Sequence, residues 1–501
     1  MQDKSSADLK CWWKDITSHL GGVYPFQDRL LKPSLTLDIS VIVGARREAN
    51  IPLRLDRIAL AVKSINPYLL GNRTLLEDVS RAPWMSRLSL NGVWDEEPLP
   101  QHGDSYPDPD IFTQQLKAAL VEETLCYVES AKTIGILLSG GMDSRVVAGI
   151  VREIQQNFDG NFHVVGLTWG NETSRDVVYA KQITERYGWE WKHYPLSAER
   201  LASNIIHMGK MGAEVSPVHL HAMPEIAITS GLDVVLAGSY GDSVGRAEFS
   251  GKHVSQLKSL SAKQKDRFGI LRNDVLSCAL AGIRSDLVDS PHLKGQLTNI
   301  RRCEIEQELH YMRRMLQCCM NTVAFEKRFY QLFTSPKVFG LMWGLSPEVR
   351  NNNWYSLLLA KLPGNLLDIP WARTGKRYNS LDGKPDSLSN TYHEYGNWLR
   401  NELKTDIVQR VNSDRIRNLG VFNDRGLDYA LGAWARGTTI TVNSLDEFFS
   451  WLASFHDFLE IYQIDGAQQA IDKNSWIDSV RAIKGGLYAN VLIAARNKLR
   501  R

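Results

Sequence analysis

Short apolar runs and stretches with helical spacing alternate along the middle of the chain. The apolar runs are nearly continuous, as in strands that are buried on both faces, and they cover residues 133–138, 162–167 and 233–237. Between these runs, apolar residues recur every three or four positions, as expected of helices that cover a sheet. This order of elements predicts an α/β fold with a doubly wound parallel sheet, whose ligands bind at the carboxyl ends of the strands.

The first part of the chain has a different pattern. Residues 35–44 alternate between apolar and polar side chains, which predicts a strand. Residues 85–93 predict a hairpin with Asn91 and Gly92 at its turn. We therefore expect residues 1–107 to form a small, β-rich domain.

A segment rich in Pro, Asp and Gly, residues 98–110, is typical of a linker that ends at the start of a helix. Either Asp108 or Asp110 could accept hydrogen bonds from the first backbone N–H groups of that helix. We therefore predict a second domain over residues 108–501, with a mainly helical part beyond about residue 300.

Composition narrows the classes of protein that the chain can represent. Its net charge is +3, with 23% charged and 43% hydrophobic residues, so the sequence offers no broad basic surface for nucleic acid. Its six cysteines form no C-x-x-C pair, and no run of about 18 apolar residues is present. The first residues are polar where a secretory signal would be apolar. We expect a cytoplasmic protein with reduced thiols and with neither nucleic acid nor membrane as a partner.

The most informative segment follows the first apolar run. Residues 139–144 read SGGMDS, and a helix is expected to begin within or just after them. Gly140 and Gly141 let the backbone turn tightly, so that N–H groups and the helix end converge on an anion, which predicts a pyrophosphate site. The G-K-[ST] ending of a Walker loop is missing, so cleavage at the γ-phosphate is not predicted. The residues alone leave a simple turn, with Asp143 capping the helix, as an alternative.

Residues 135–150 (GILLSGGMDSRVVAGI) resemble the synthetase domain of the asparagine synthase family, a group of PP-loop ATP pyrophosphatases. The resemblance extends over roughly residues 50–400, and the family also includes β-lactam synthetases and lasso-peptide macrolactam cyclases, which lack a glutaminase. It implies an adenine nucleotide α-hydrolase-like fold that binds ATP in the glycine loop. It also implies transfer of AMP to a substrate carboxylate with release of pyrophosphate, followed by amide formation with an amine or ammonia.

The resemblance also assigns nucleotide and metal contacts. Thr168 ends the second strand in a manner similar to the family's adenosine-contacting strand end, and residues 238–243 (GSYGDS) resemble its second loop, S-G-E-G-x-D-E. The implied nucleotide-binding residues are Leu138, Ser139, Gly140, Gly141, Asp143, Ser144, Leu167, Thr168 and Gly238. Since Mg²⁺ prefers carboxylate and phosphate oxygens, Asp143 and Asp242 are expected to hold it and to take part in catalysis. A simple turn role for Asp242 stays open.

Lys376 and Tyr240 are further candidates for catalysis. Residues 325–328 resemble the family's E-x-R segment, and about fifty residues later the family places a lysine that neutralises pyrophosphate, which implies this role for Lys376. A solvated basic loop is the alternative for Lys376. Tyr240 lies one position away from that of a catalytic tyrosine in the β-lactam type. Either Tyr240 or Glu308 could act as the general base that deprotonates the amine.

The part related to glutaminases departs from the family pattern. Gln2 stands where glutamine-hydrolysing relatives have a nucleophilic cysteine, and Cys11 lies inside the chain. Residues 1–107 are therefore expected to be a reduced glutaminase-like domain without its nucleophile. The amine would then come from free ammonia, from a partner protein or from the substrate itself.

These observations predict an ATP- and Mg²⁺-dependent, AMP-forming carbon–nitrogen ligase. Its substrate would be a carboxylate of a peptide, a sugar acid or an amino acid. One alternative is a nucleic-acid-modifying PP-loop enzyme of the tRNA thiolase type. Another is a non-catalytic ATP-binding scaffold, suggested by Ser239 and Ser243, which stand where relatives carry other residues in the second loop.

Overall fold

The N-terminal region combines short strands with two helices. A computed structural model of the protein describes residues 12–31, 35–158, 160–260, 264–378, 385–464 and 475–498. The elements of this region are β1 (Phe26–Asp28), α1 (Ile39–Glu48), α2 (Arg57–Ile65), β2 (Val79–Arg81), β3 (Ser86–Leu88) and β4 (Trp94–Glu96). Strands β1 and β2 pair antiparallel, and so do β3 and β4.

Of the predictions for this region, the hairpin is confirmed and the strand over residues 35–44 is wrong. The region is also not β-rich, because its four strands have three residues each while α1 and α2 have 10 and 9. Most of residues 35–44, predicted as a strand, belongs to α1, because the Asp38 side chain accepts a hydrogen bond from Ser40 N (2.8 Å) and starts a helix. The buried residues of α1 have helical spacing and are Ile39, Ile42, Val43 and Arg46. The predicted hairpin is confirmed by the pairing of β3 with β4, and Gly92 in its turn has φ +76°.

The middle of the chain forms the predicted parallel sheet. Its elements are α3 (Pro109–Val128), β5 (Thr133–Leu137), α4 (Met142–Asn157), β6 (His163–Trp169), α5 (Arg175–Tyr187), β7 (Glu190–Tyr194), α6 (Ala198–Lys210), α7 (Met223–Ala227), β8 (Val234–Ala237), β9 (Glu248–Phe249) and β10 (Lys252–His253). Asp108 caps α3 as predicted, and Gly188, at φ +67°, ends α5. The α/β fold class is therefore confirmed.

The strand order defines where a ligand is expected to bind. The five strands are parallel in the order β11-β8-β5-β6-β7, where β11 is Arg328–Gln331. The chain runs from β5 to β6 and β7 on one side and then returns to β8 on the other side of β5. With right-handed crossovers, the helices therefore cover both faces of the sheet. The switch of direction falls between β5 and β8, so a crevice opens at their carboxyl ends.

The rest of the chain is mainly helical, as predicted. Its helices are α8 (Asn273–Val288), α9 (Asn299–Glu306), a π-helix (Gln307–Leu316), α10 (Gln317–Glu326), α11 (Pro336–Gly344), α12 (Asn352–Ala360), α13 (Tyr395–Arg400), α14 (Lys404–Val411), α15 (Asp414–Arg417), α16 (Asp424–Trp434), α17 (Ser444–Ile461) and α18 (Trp476–Lys498). None of the helices in the described ranges is long and apolar enough to cross a membrane.

The N-terminal region and the sheet share one apolar core. Trp12 donates a hydrogen bond from Nε1 to Ala324 O (3.2 Å), and the buried Arg81 pairs with Glu214 at 3.1 Å. Because a buried charge is stable only when it is paired, this ion pair fixes the N-terminal region against the rest of the chain. The domain boundary at residues 107 and 108 stays a prediction.

Candidate active site

The glycine loop links β5 to α4 at the switch point. The Ser144 hydroxyl donates to Ser139 O (3.0 Å), and Gly141 N donates to the Ser139 hydroxyl (3.1 Å), so the loop is held by its own serines. Gly141 is the N-cap residue of α4, and among the described residues no side chain caps this helix end. The first turn of α4 therefore offers N–H donors and the positive end of a helix dipole to an anion.

Close packing explains the glycine at position 140. A Cβ atom there would lie 2.8 Å from Ala372 Cβ and 3.0 Å from Arg175 O. Neither Gly140 nor Gly141 has a left-handed backbone. Glycine is therefore needed at 140 because a neighbouring segment approaches, and the tight turn itself would tolerate another residue.

The second loop brings its carboxylate next to the glycine loop. A Cβ atom on Gly238 would lie 2.8 Å from Asp143 O, and one on Gly241 would contact the Asp143 carboxylate. These two glycines therefore let the loop after β8 pack directly on Asp143. Asp143 and Asp242 consequently converge on one point, where both meet the guanidinium of Arg246.

Arg246 lies at the candidate site and was not predicted from the sequence. Its Nη2 contacts Asp242 Oδ1 and lies 3.9 Å from Asp143 Oδ2, although the side chain is only 2% exposed. Burial acts to lower the pKa of Arg246, but Asp143 and the other acidic neighbours outweigh it and raise the pKa above its ordinary value. The i, i+4 spacing of Asp242 and Arg246 was the available signal, because such residues meet on one side of a helical turn.

The side chains around Asp143 and Asp242 determine whether these two carboxylates can bind a metal ion in this conformation. They supply the oxygen donors that Mg²⁺ prefers, but the guanidinium of Arg246 lies at the point on which they converge. Tyr355 also donates a hydrogen bond to Asp143 Oδ1, so this oxygen is engaged as well. The residues therefore do not fit a bound metal in this arrangement, and a metal would require Arg246 to move.

A segment of residues 366–378, which we call the covering segment, lies over the glycine loop and carries Lys376. Ala372 N donates to Gly140 O (3.1 Å), and Trp371 N donates to Lys376 O (2.7 Å) across a turn. Lys376 is half-buried. The structure thus brings the backbone of Lys376 close to the glycine loop, while its role in charge stabilisation stays a prediction.

Arg145 ties the covering segment to the glycine loop. Its side chain is completely buried, and Nη1 donates to Leu366 O (3.0 Å) and Ile369 O (2.6 Å). Its Nη2 donates to Gly140 O (3.0 Å) and to Pro370 O. Arg145 directly follows the SGGMDS motif, but its role depends on a distant segment and could not be seen in the sequence.

The residues predicted to contact adenosine lie at the carboxyl ends of β5 and β6. Leu138 and Leu167 are fully buried, and Leu138 N donates to Leu167 O (2.9 Å). The Thr168 hydroxyl donates to Leu138 O (3.0 Å) and accepts from Trp191 Nε1 (3.3 Å). Their side chains therefore hold the strand ends together, and their contact with a nucleotide stays a prediction.

Tyr240 and Glu308 are buried on the side of the second loop that faces the N-terminal region. The Tyr240 ring packs against Gly21, where a Cβ atom would lie 2.8 Å from Tyr240 Cε2. Burial, together with Glu308, raises the pKa of Tyr240 well above its ordinary value. Burial also raises the pKa of Glu308 to about 8, with a smaller opposing effect of the Ser243 hydroxyl. Both groups are thus largely protonated at neutral pH.

The fold and the two loops define a class of protein: a doubly wound α/β protein with an anion-binding glycine loop at its switch point. Residues 115–323 match the family model described as asparagine synthase. This span contains the glycine loop, the second loop and Arg246 and ends before Lys376. The resemblance to this family is therefore confirmed over these residues, and it supports an ATP-using ligase that forms amides.

Comparisons with individual proteins add little. No curated protein matches the chain. One similar solved structure is the U34-tRNA thiolase NcsA from Methanococcus maripaludis with its [4Fe-4S] cluster, at 15% identity over 47% of this chain and 85% of that one, with a TM-score of 0.24. Another is NMN synthetase from Francisella tularensis, at 14% identity over 44% of this chain and 94% of that one, with a TM-score of 0.20. The fold assignment therefore rests on the strand order described above.

Proposed function

We propose that the protein is an ATP-dependent, AMP-forming carbon–nitrogen ligase that adenylates a substrate carboxylate and joins it to an amine. The observation that carries this proposal is the uncapped start of α4 at the switch point, beside Asp143 and Asp242 and within the residues that match the family model. An uncapped helix start stabilises anionic oxygens, as the phosphates of ATP require. Charged groups beside it can act where charge develops during the reaction.

The proposed binding mode assigns the phosphates to the glycine loop and the adenosine to the ends of β5 and β6. A substrate carboxylate oxygen would attack the α-phosphorus, the bond to the bridging oxygen would break, and pyrophosphate would leave. Lys376, on the covering segment, would stabilise the charge that develops on the leaving pyrophosphate. The amine would then attack the acyl carbon, AMP would leave, and a base would take the proton of the amine.

The amine source and the base are the finer parts of the proposal. Residues 1–11, which include Gln2 and Cys11, lie outside the described residues. Free ammonia, a partner protein and the substrate itself all remain proposed sources of the amine. Tyr240 would donate a hydrogen bond as a neutral phenol and would not serve as the base, because burial raises its pKa well above its ordinary value. The proton of the amine would then pass to a water molecule of the solvent.

The remaining parts of the proposal concern the metal, the substrate and the place of action. Mg²⁺ would enter with the phosphates of ATP, and no step here depends on a metal held by Asp143 and Asp242. The substrate is proposed to be a peptide, a sugar acid or an amino acid. The reaction is proposed to occur in the cytoplasm, without nucleic acid or membrane as a partner.

Trapping of the acyl adenylate tests the proposal without knowledge of the amine. The protein is mixed with ATP, Mg²⁺, hydroxylamine and a panel of amino acids, uronic acids and peptides, and hydroxamate, AMP and ADP are measured. We expect hydroxamate and AMP in equal amounts with at least one carboxylate. Formation of ADP in place of AMP would contradict the proposal.

A matched pair of carboxylate variants links the activity to the site. Asp143→Asn is expected to lower hydroxamate formation by about a hundredfold or more, because the neutral amide no longer attracts the Arg246 guanidinium and accepts a weaker hydrogen bond from Tyr355 beside the glycine loop. Asp233→Asn is the control, since Asp233 accepts hydrogen bonds from Lys132 N (2.8 Å) and Thr133 N (2.9 Å) at the opposite end of the sheet. Equal loss in both variants would show that the effect comes from stability and not from the site.

A further inference from the structure

Arg246 lies where the two carboxylates of the site would otherwise repel each other. Its Nη2 touches Asp242 and lies 3.9 Å from Asp143, and its Nε lies 3.8 Å from Glu248 Oε2. The side chain is 2% exposed, so water screens these interactions little. A cation is therefore already built into the position that a divalent ion would need.

A second arginine meets the same acids from the outside. Arg373, which is 43% exposed, lies 3.4 Å from Asp242 Oδ2 and 3.0 Å from Glu248 Oε2. The three carboxylates of the cluster thus face two guanidiniums. Only Arg246 lies between Asp143 and Asp242, which makes Arg373 a matched control for the charge alone.

Some N–H groups of the Arg246 guanidinium are not fully hydrogen-bonded. Within the described part of the chain, neither its Nε nor its Nη1 makes a hydrogen bond of good geometry, although both atoms are buried and the Tyr378 phenol lies close to the guanidinium. The rings of Tyr355 and Trp371 lie 4.9 Å and 5.6 Å from Arg246 Cζ and limit where the side chain can go. A buried guanidinium with such N–H groups is expected to bind an anionic oxygen, since leaving them without a good hydrogen bond costs free energy.

We propose that the guanidinium of Arg246 takes the place of a divalent cation at this site: it neutralises Asp143 and Asp242 and binds an oxygen of a phosphate group. The identity of that phosphate as part of ATP rests on the proposed function. The neutralisation of the carboxylates does not, because it concerns the protein without nucleotide.

Binding of Mn²⁺ to the nucleotide-free protein tests the first half. Mn²⁺ is titrated and followed by electron paramagnetic resonance for the wild type and for Asp242→Asn, Arg246→Met, Arg246→Lys and Arg373→Met. We expect no Asp242-dependent site in the wild type. In Arg246→Met we expect a new site whose affinity for Mn²⁺ is at least about tenfold higher than that of any Mn²⁺ binding to the wild type, because a positive charge is removed from between two carboxylates. Arg246→Lys and Arg373→Met are expected to resemble the wild type.

Binding of inorganic pyrophosphate in the presence of a chelator tests the second half. Calorimetry should give an affinity about ten- to a hundredfold weaker in Arg246→Met than in the wild type, because charge-assisted hydrogen bonds are lost. The affinity of Arg373→Met should change little. Circular dichroism and thermal melting verify that each variant is folded. If Arg246→Met did not fold, the Mn²⁺ titrations of the wild type and Asp242→Asn would still test the inference, because Arg246 is unchanged in both proteins.

Three results would overturn the inference. They are an Asp242-dependent Mn²⁺ site in the wild type, the absence of a new site in folded Arg246→Met, and pyrophosphate binding that does not depend on Arg246. Both experiments are done without ATP, so their outcome is separate from that of the adenylate-trapping assay. If the expected Mn²⁺ and pyrophosphate results were obtained but no carboxylate were adenylated, only the proposed function would be refuted.

Discussion

Replacement of Arg145 by methionine tests how the site is assembled. Methionine keeps most of the apolar volume of the arginine stem but donates no hydrogen bond. The change removes the donors to Gly140 O, to Leu366 O and Ile369 O, and to Pro370 O. The covering segment, residues 366–378, should then detach from the glycine loop more often.

The magnitude follows from the environment of the guanidinium. Each buried carbonyl that loses its donor costs about 1–3 kcal/mol, unless the segment opens and lets water replace it. Part of this cost is offset, since burial lowers the pKa of Arg145 and the methionine variant no longer has to desolvate a charge. We therefore expect the segment to open more easily by about 3 kcal/mol, or roughly a hundredfold in the opening equilibrium.

Hydrogen exchange measured by mass spectrometry gives this quantity for the covering segment directly. Arg186→Met is the matched control, because Arg186 donates to Gly364 O (2.9 Å) and Asn365 O (2.7 Å) from an exposed position. Exposed interactions of this kind contribute less than about 1 kcal/mol. Exchange of residues 366–378 should therefore become much faster in Arg145→Met and change little in Arg186→Met.

A folded Arg145→Met variant that exchanged its amides in this segment at the wild-type rate would contradict this role of Arg145. A larger effect in Arg186→Met than in Arg145→Met would contradict it as well. In either case the covering segment would be held by other contacts, such as the hydrogen bond from Ala372 N to Gly140 O.

Two further predictions concern other parts of the site. Gly241→Ala should lower hydroxamate formation at least about tenfold, because its Cβ would contact the Asp143 carboxylate, whereas Gly340→Ala, whose Cβ would meet atoms no closer than 3.9 Å, should not. Equal activity in both variants would contradict this role of Gly241. The free energy of unfolding of Glu308→Gln, relative to that of the wild type, should increase from pH 5 to pH 8. Between the ordinary pKa of 4.5 and about 8, the folded protein keeps a proton on Glu308 that the unfolded chain has lost, so the wild type loses up to about 1.4 kcal/mol per pH unit. The free energy of unfolding of both proteins is measured by chemical denaturation at several pH values. A difference between the two proteins that does not change from pH 5 to pH 8 would contradict the pKa shift.

Local pattern was sufficient for the central part of the fold. The runs that became β5, β6 and β8 are continuous and apolar because both of their faces are buried, and the glycine loop follows the first of them directly. Strand β7 was not predicted, because its sequence, EWKHY, carries the polar residues of a strand at the edge of a sheet. The strand prediction for residues 35–44 was wrong because the alternation of apolar and polar residues continues past Asp38, where α1 starts.

The rest of the site depends on neighbours that are distant along the chain. Asp143 and Asp242 are about a hundred residues apart, and their pairing was expected only from the resemblance to the asparagine synthase family. The order β8-β5 explains why their loops touch. Arg246 is recognisable as a site residue once that contact is known. Arg145 acts on carbonyl groups more than 220 residues away. A single sequence states which residues could do the chemistry, but not which of them meet.

A crystal structure with a nonhydrolysable ATP analogue would show whether the glycine loop binds the phosphates of the nucleotide. We expect the β- and γ-phosphates within hydrogen-bonding distance of the backbone N–H groups at the start of α4, next to the Arg246 guanidinium, with the adenosine beside the ends of β5 and β6. Clear density for the triphosphate elsewhere on the protein, with the glycine loop unoccupied, would contradict the account.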